Sequence, residues 1–146
     1  MQMVLKEIMT SNVDVISRNA SAAEAALKMK YLNVGVIPVC DGERLCGMVT
    51  DRDLVLRVIA KGLDPKQVRV SDATSSDVVF CYEDEDLEKA SHVMSQKQIR
   101  RLPILSRAKK LVGIVSLGDL AVRGKDAQTT GNVLEQVSRP SLAQCL

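Results

Sequence analysis

After a glycine and two apolar residues, the chain twice sets a hydroxyl and an aspartate three residues apart: Thr50 with Asp53, and Ser116 with Asp119. Each pair closes a Gly-h-h-[Thr/Ser]-x-x-Asp segment, where h is apolar. The first runs from Gly47 to Asp53, and the second, from Gly113 to Asp119, lies 66 residues further on. Where such a segment takes a strand into a helix, the hydroxyl and the carboxylate lie on one side of the helix's first turn. A carboxylate there can accept two hydrogen bonds from a vicinal diol, as a ribose requires, and the hydroxyl and the helix start can approach a phosphate or sugar oxygen. The same spacing also suits a capping box, in which the pair satisfies the helix's own first N–H groups. One copy alone would favour the cap. Two matching copies do not remove that reading, because duplicated helices need duplicated caps.

The copies differ in cationic groups. Arg100 and Arg101 stand ahead of Leu102-Pro103, whereas Gly35 and Val36 stand ahead of Ile37-Pro38. A guanidinium can clamp a phosphate with two donors, and Gly and Val offer only backbone. The second copy is therefore expected to favour phosphorylated ligands and the first to bind more weakly or differently. Arg52 and Arg123 are further cations, each read more simply as solvated helix surface.

Other chemistry finds little support. The cysteines at 40, 46, 81 and 145 form no C-x-x-C pair, and His92 has no metal-ligand companion. They read as small buried hydrophobes in a reducing cytoplasm. Cys40 and Cys46 flank the Asp41-Gly42 turn and invite a redox or metal role across a hairpin. No nucleophile–base constellation appears, so no catalytic residues and no catalytic cofactor are expected. A net charge of +2 and an aromatic content of 2% argue against a nucleic-acid partner. No apolar run approaches the roughly 20 residues of a membrane span, and residues 1–7 lack a signal-peptide layout. The expected location is the cytoplasm.

These residues need elements to position them, and the elements also come twice. Leu5 to Met9 reads as a helical turn and Val13 to Ile16 as a strand. Ser21 with Glu24 caps a helix that buries Ala25, Ala26, Met29 and Leu32. Val34–Cys40 and Leu45–Val49 form a hairpin, and a second helix from about Asp51 stops at Gly62. The second copy repeats the β-α-β-β-α order: Val78 to Cys81, a helix burying Leu87, Ala90, Val93 and Met94, strands Ile99–Leu105 and Leu111–Val115, and a short helix. The expected division is a first repeat at 1–62, a linker at 63–69, a second repeat at 70–126 and a tail at 127–146, with one more helix around Val133 to Val137 ended by Pro140. A duplicated supersecondary unit of this length implies an α/β (α+β) fold of two repeats packed about a pseudo-twofold axis.

With both copies laid out, the chain from about Val4 to Arg123 resembles a tandem pair of cystathionine β-synthase (CBS) domains, a Bateman module. The resemblance rests on Gly47 to Asp53, Gly113 to Asp119, the Ala25–Met29 and Ala90–Met94 helices, and Arg100-Arg101-Leu102-Pro103-Ile104. It implies a stand-alone regulatory sensor, not an enzyme, whose clefts between the repeats bind AMP, ADP, ATP or S-adenosylmethionine. Asp53 and Asp119 would hold ribose, with Thr50 and Ser116 beside them. Adenine would lie among Val15, Ile16, Ile37 and Pro38 in one site, and among Val79, Phe80, Leu102 and Pro103 in the other, with Arg100 and Arg101 on the phosphate. The family commonly pairs two modules through their helices, and the alternative is a dimerising interaction module with vestigial sites. The nearly unbroken apolar run Leu54, Val55, Leu56, Val58, Ile59 must bury two sides of its helix. A homodimer built near Leu54–Ile59 and Leu120–Val122 is expected, unless the C-terminal tail folds over that surface.

Overall fold

The computed structural model describes residues 3–75, 77–124 and 127–139, with residues 127–129 described as backbone. The first copy runs α1 (Leu5–Ile8), β1 (Ile16–Ser17), α2 (Ala22–Leu32), β2 (Val36–Asp41), β3 (Arg44–Thr50) and α3 (Asp51–Leu54), which winds on into a π-helical turn at Val55–Ile59. The second runs α4 (Val70–Ala73), β4 (Cys81–Tyr82), α5 (Leu87–Lys97), β5 (Arg101–Leu105), β6 (Leu111–Ser116) and α6 (Leu117–Val122), and α7 (Ala127–Ser138) follows. Each copy thus holds the expected β-α-β-β-α order. Each makes a mixed three-stranded sheet, β1-β2-β3 or β4-β5-β6, with its first pair parallel and its second antiparallel.

The caps explain where the long helices start. Ser21 Oγ accepts from Glu24 N at 3.1 Å, and Asp86 Oδ1 accepts from Lys89 N at 2.9 Å. Both helices end on a left-handed residue, Asn33 at φ 57° and Gln98 at φ 54°, the conformation with which many helices terminate and which Asn tolerates better than Gln. Some details differ from expectation. Val13 to Val15 are not strand: β1 has a partner only at Val39 and Cys40, so pairing starts at Ile16. Val78 to Phe80 are not strand either, since β4 pairs only from Cys81, and Ala26, expected on the buried face of α2, is exposed. The helix from Asp51 changes to π winding at Val55, with Ala60 N bonded to Val55 O at 2.8 Å; the apolar run from Leu54 to Ile59 is too short to separate the two periods.

The compact units are cut differently from the sequence copies: one is Asp14–Val79, the other Met1–Val13 with Phe80–Leu146. Each copy's leading helix has been exchanged. In the first unit, α4 joins the loop before α2, with Val70 N on Ala20 O at 2.8 Å and Ser71 N on Arg18 O at 3.1 Å. In the second, Leu5 N bonds to Glu85 O at 2.8 Å, and Thr10 exchanges hydrogen bonds with Ile114 at 2.8 and 3.0 Å. The segment between the copies is not slack either, since Pro65 O and Val68 O accept from Ala23 N and Ala22 N, two orphan donors of α2's first turn.

Within the Asp14–Val79 unit, Ile16, Ala25, Met29, Val49, Val58 and Val70 meet in one aliphatic core, as the near absence of aromatics requires. Cys46 packs against this core beside Val39, whereas Cys40 follows Val39 in β2 and so points to the opposite face. The two cysteines are not a directly paired couple of the ladder, since Cys40 pairs with Leu45. A register shift opposite Cys40 leaves Cys46 as the extra residue of a β-bulge.

Candidate functional site

Both strand-to-helix turns fold as capping boxes. Thr50 Oγ1 accepts from Asp53 N at 3.0 Å while Asp53 Oδ2 accepts from Thr50 N at 2.9 Å. Ser116 Oγ accepts from Asp119 N at 3.1 Å and Asp119 Oδ2 accepts from Ser116 N at 2.8 Å. The cap reading is thus correct for both copies, yet it does not exhaust the carboxylates. Each cap engages one oxygen and fixes the rotamer, which leaves Oδ1 with both lone pairs for another donor.

The second oxygens differ. Asp53 Oδ1 lies 3.9 Å from Arg57 Nε, four residues along the same helix, and the pair is partly exposed. The matching arginine of the other copy, Arg123, is turned away: its Nη1 donates to Ile8 O at 3.2 Å and to Met9 O at 3.4 Å. Asp119 Oδ1 accordingly has no partner among the described residues. Arg57 was not singled out in the sequence, although its i,i+4 spacing from Asp53 was legible.

The hairpin register sets the cations beside the turn. Arg101 opens β5 directly opposite Ser116, the last residue of β6, and Arg100 O accepts from Leu117 N at 2.9 Å. Both arginines are exposed, and neither guanidinium has a partner among the described residues. In the first copy Val36 pairs with Thr50 and Gly35 O accepts from Asp51 N at 2.9 Å, so the backbone is the same and the charge is missing. A side chain at Gly35 would begin 3.0 Å from Asp51 Oδ2. The first turn therefore carries two carboxylates, Asp51 and Asp53, where the second carries Leu117 and Asp119.

The expected apolar residues divide. Ile16 and Ile37 belong to the core of their unit, and Leu102 is fully buried. Pro38 and Pro103, one residue on, lie on the other face of their strands. Val15 is half-buried, with its carbonyl held by Lys28 Nζ. Phe80 is half-buried and meets the Tyr82 ring edge-on at 5.4 Å. Tyr82 is covered in turn by Arg107, 4.1 Å from its centroid, which also bonds Asp84; that bond lowers the Asp84 carboxyl and raises the guanidinium. Val79 ends one unit and Phe80 opens the other. The remaining second-copy candidates, Arg100, Arg101, Leu102, Pro103, Ser116 and Asp119, share a unit, as do Val15, Ile16, Ile37, Pro38, Thr50 and Asp53.

The first glycine of each motif serves the exchanged segment. A Cβ at Gly47 would stand 2.9 Å from Ser75 O, and one at Gly113 2.9 Å from Thr10 O. Elsewhere, a shallow hollow of about 840 Å³ opens on α2, lined by Asp14, Leu27, Lys28, Lys30, Tyr31 and Leu32; none of the candidate residues lines it. Among the described residues, no group of three or more His, Cys, Asp or Glu side chains is placed to hold a metal ion, and no helix is long and apolar enough to cross a membrane.

This geometry has relatives. The CBS domain-containing protein YhcV of Bacillus subtilis is 44% identical over 138 residues, covering 94% of this chain and 97% of its own. A crystal structure of Hypoxic Response Protein I with two coordinated zinc ions is 31% identical, with a TM-score of 0.77 over 83% of this chain and 98% of that one. A crystal structure of CBSX2 in complex with AMP is 26% identical, with a TM-score of 0.70 over 84% of this chain and 98% of that one. The sequence profile of the CBS domain matches twice, at residues 5–60 and 70–124. The chain belongs to the CBS domain family and carries two such domains in tandem, the architecture of a regulatory module.

Proposed function

We propose that this CBS pair is a sensor that binds an adenosine-containing ligand (AMP, ADP, ATP or S-adenosylmethionine) and has no catalytic role of its own. The observation that carries the reading is the meeting of unpaired groups at the β5–β6–α6 turn. Asp119 Oδ1 is open to a ribose diol, and Arg101, opposite Ser116, and Arg100 beside it have no anionic partner among the described residues. Surface cations of this kind suit phosphate, and the relative crystallised with AMP supports the ligand class. The Asp53 turn has the same cap but no strand arginine, and Arg57 already stands by its carboxylate. It is the weaker phosphate site, or one for a ligand without phosphate.

A second reading, a dimerising interaction module, is favoured by the exposure of Val55, Leu56 and Ile59 on one short helix. The two are separable. A ligand that binds only the folded state raises the melting temperature, so a thermal-shift panel of adenosine, AMP, ATP, NAD and S-adenosylmethionine is the first test. Stabilisation by AMP and ATP beyond that by adenosine is expected. A panel without any shift leaves the interaction reading in possession.

A further inference from the structure

The two copies end differently, and the difference falls on the helix that carries Asp119. By the motif alignment, Leu54 matches Leu120, both buried, and Val58, buried under the π turn, matches Gly124. So α6 stops at Val122 where its counterpart makes a further turn. No side chain fits at Gly124: a Cβ there would stand 2.7 Å from Leu120 O and 2.8 Å from Leu87 Cδ2. What packs on α5 and α6 instead is α7, with Val133 only 2% exposed.

The uncovered counterpart shows what α7 does. Ala26 of α2 is exposed, and its match in α5, Ser91, is buried. At the far end the Gln98 side-chain amide donates to Gln136 O at 3.2 Å and to Arg139 O at 3.0 Å, capping α7 from another element. Of the described side chains of α7 only Val133 is fully buried, Leu134 remains half-exposed, and Ser91 Oγ is buried with no partner among the described residues. A buried hydroxyl left unpaired opposes the docking that buries it.

We propose that α7 is a detachable substitute for the missing turn of α6, and that its docking is coupled to nucleotide occupancy at Asp119 through α6. The proposal rests on the reading of Asp119 as a ribose acceptor. A helix of six residues has little stability of its own and depends on what packs against it. A nucleotide on the Ser116–Asp119 turn and α7 on the helix body both order this one element. Two events that order the same marginal element favour each other, and by linkage each changes the other's equilibrium by the same factor.

The test uses the full chain, with AMP as probe. In hydrogen exchange, amides at 130–138 are expected to open more readily than those of α5, and saturating AMP to slow them. In calorimetry, Val133→Asp and the milder Gln98→Ala are expected to weaken AMP binding, the former by roughly 5-fold or more. Circular dichroism checks the fold; should Val133→Asp fail to fold, Gln98→Ala and the wild-type exchange data decide. Unchanged AMP affinity in the folded variants, with α7 exchange indifferent to AMP, overturns the coupling alone. Absence of AMP binding to the wild-type chain overturns the site assignment and the coupling together.

Discussion

At the scale of single residues, each motif carboxylate has two oxygens with two tasks, and a substitution can separate them. Asp119→Asn keeps an oxygen to accept from Ser116 N but loses the charge and one acceptor. It is expected to melt within a few degrees of wild type while AMP weakens by about 1.5–3 kcal/mol, the range for hydrogen bonds to a charged group. Asp119→Ala also removes the side-chain half of the capping box, while residue 119 N still donates to Ser116 Oγ, and adds at most about 1 kcal/mol of instability. Equal calorimetric affinities in Asp119→Asn and wild type would return the residue to capping alone. Arg101→Ala is expected to reduce affinity for AMP more than for adenosine; an equal fall in both would mean that it shapes the pocket and does not read phosphate.

The buried thiols give a prediction independent of any ligand. Burial raises Cys81 from 9.0 to about 11, helped by the Glu85 carboxylate and opposed by Lys89, and burial with a smaller contribution from Cys46 raises Cys40 to about 11. These thiols stay protonated and unreactive at neutral pH. The unfolded chain ionises first as pH rises through 9, so stability is intact below that value and falls towards pH 11. The decline is at most about 2–3 kcal/mol per thiol. Cys81→Ala should be the less stable protein in urea at pH 7, under reductant, and the gap should narrow by pH 10.5. A constant gap would mean that the thiol ionises freely in the fold.

At the scale of elements, most of the order was legible because caps, hairpin turns and apolar spacing are local signals. Ser21 and the two capping boxes start their helices where the sequence puts them. What was not legible depends on partners distant in the chain. The start of β1 at Ile16 depends on where β2 ends, and the pairing of Cys40 with Leu45 rather than Cys46 depends on a bulge across the hairpin. The exchange of α1 and α4 between units leaves no local trace except the glycines they press against. Gly113→Ala tests that contact. Its methyl would meet the backbone carbonyl of Thr10 at 2.9 Å and the Met9 side chain at 2.5 Å; the side chain can move and the carbonyl is held by Ile114 N. A loss of about 1–3 kcal/mol in urea unfolding is expected, as for other overpacked sites. An effect below 0.5 kcal/mol, roughly the surface-site level, would show that α1 is not tightly seated on β6.

For the whole molecule the question is what covers the apolar helix at Leu54–Ile59. Leu54 and Val58 are buried in their own unit, while Val55, Leu56 and Ile59 remain 54%, 47% and 59% exposed. Leu120 is likewise buried, and Val122 is exposed. The C-terminal helix was the intrachain candidate for this surface, but it packs on α5 and α6, and the three side chains stay open. Burying one half-exposed aliphatic side chain yields roughly 1 kcal/mol, so a symmetric pair of these patches supplies about 6 kcal/mol. Association itself costs at least about 4 kcal/mol, and a micromolar dimer needs a net 8 kcal/mol or so. More apolar surface must join, and the same unit offers it on α2, where Leu27 and Tyr31 are largely exposed. A symmetric dimer through the helical face of the Asp14–Val79 unit is therefore the expected assembly, with a dissociation constant in the micromolar range. In sedimentation equilibrium at about 100 μM, wild type should approach twice 15.9 kDa. Leu56→Glu, which adds charge to an already exposed position, should sediment as monomer and keep its melting temperature at low concentration. A wild-type chain that stays monomeric at that concentration, with and without AMP, would mean that these side chains face water in the working protein.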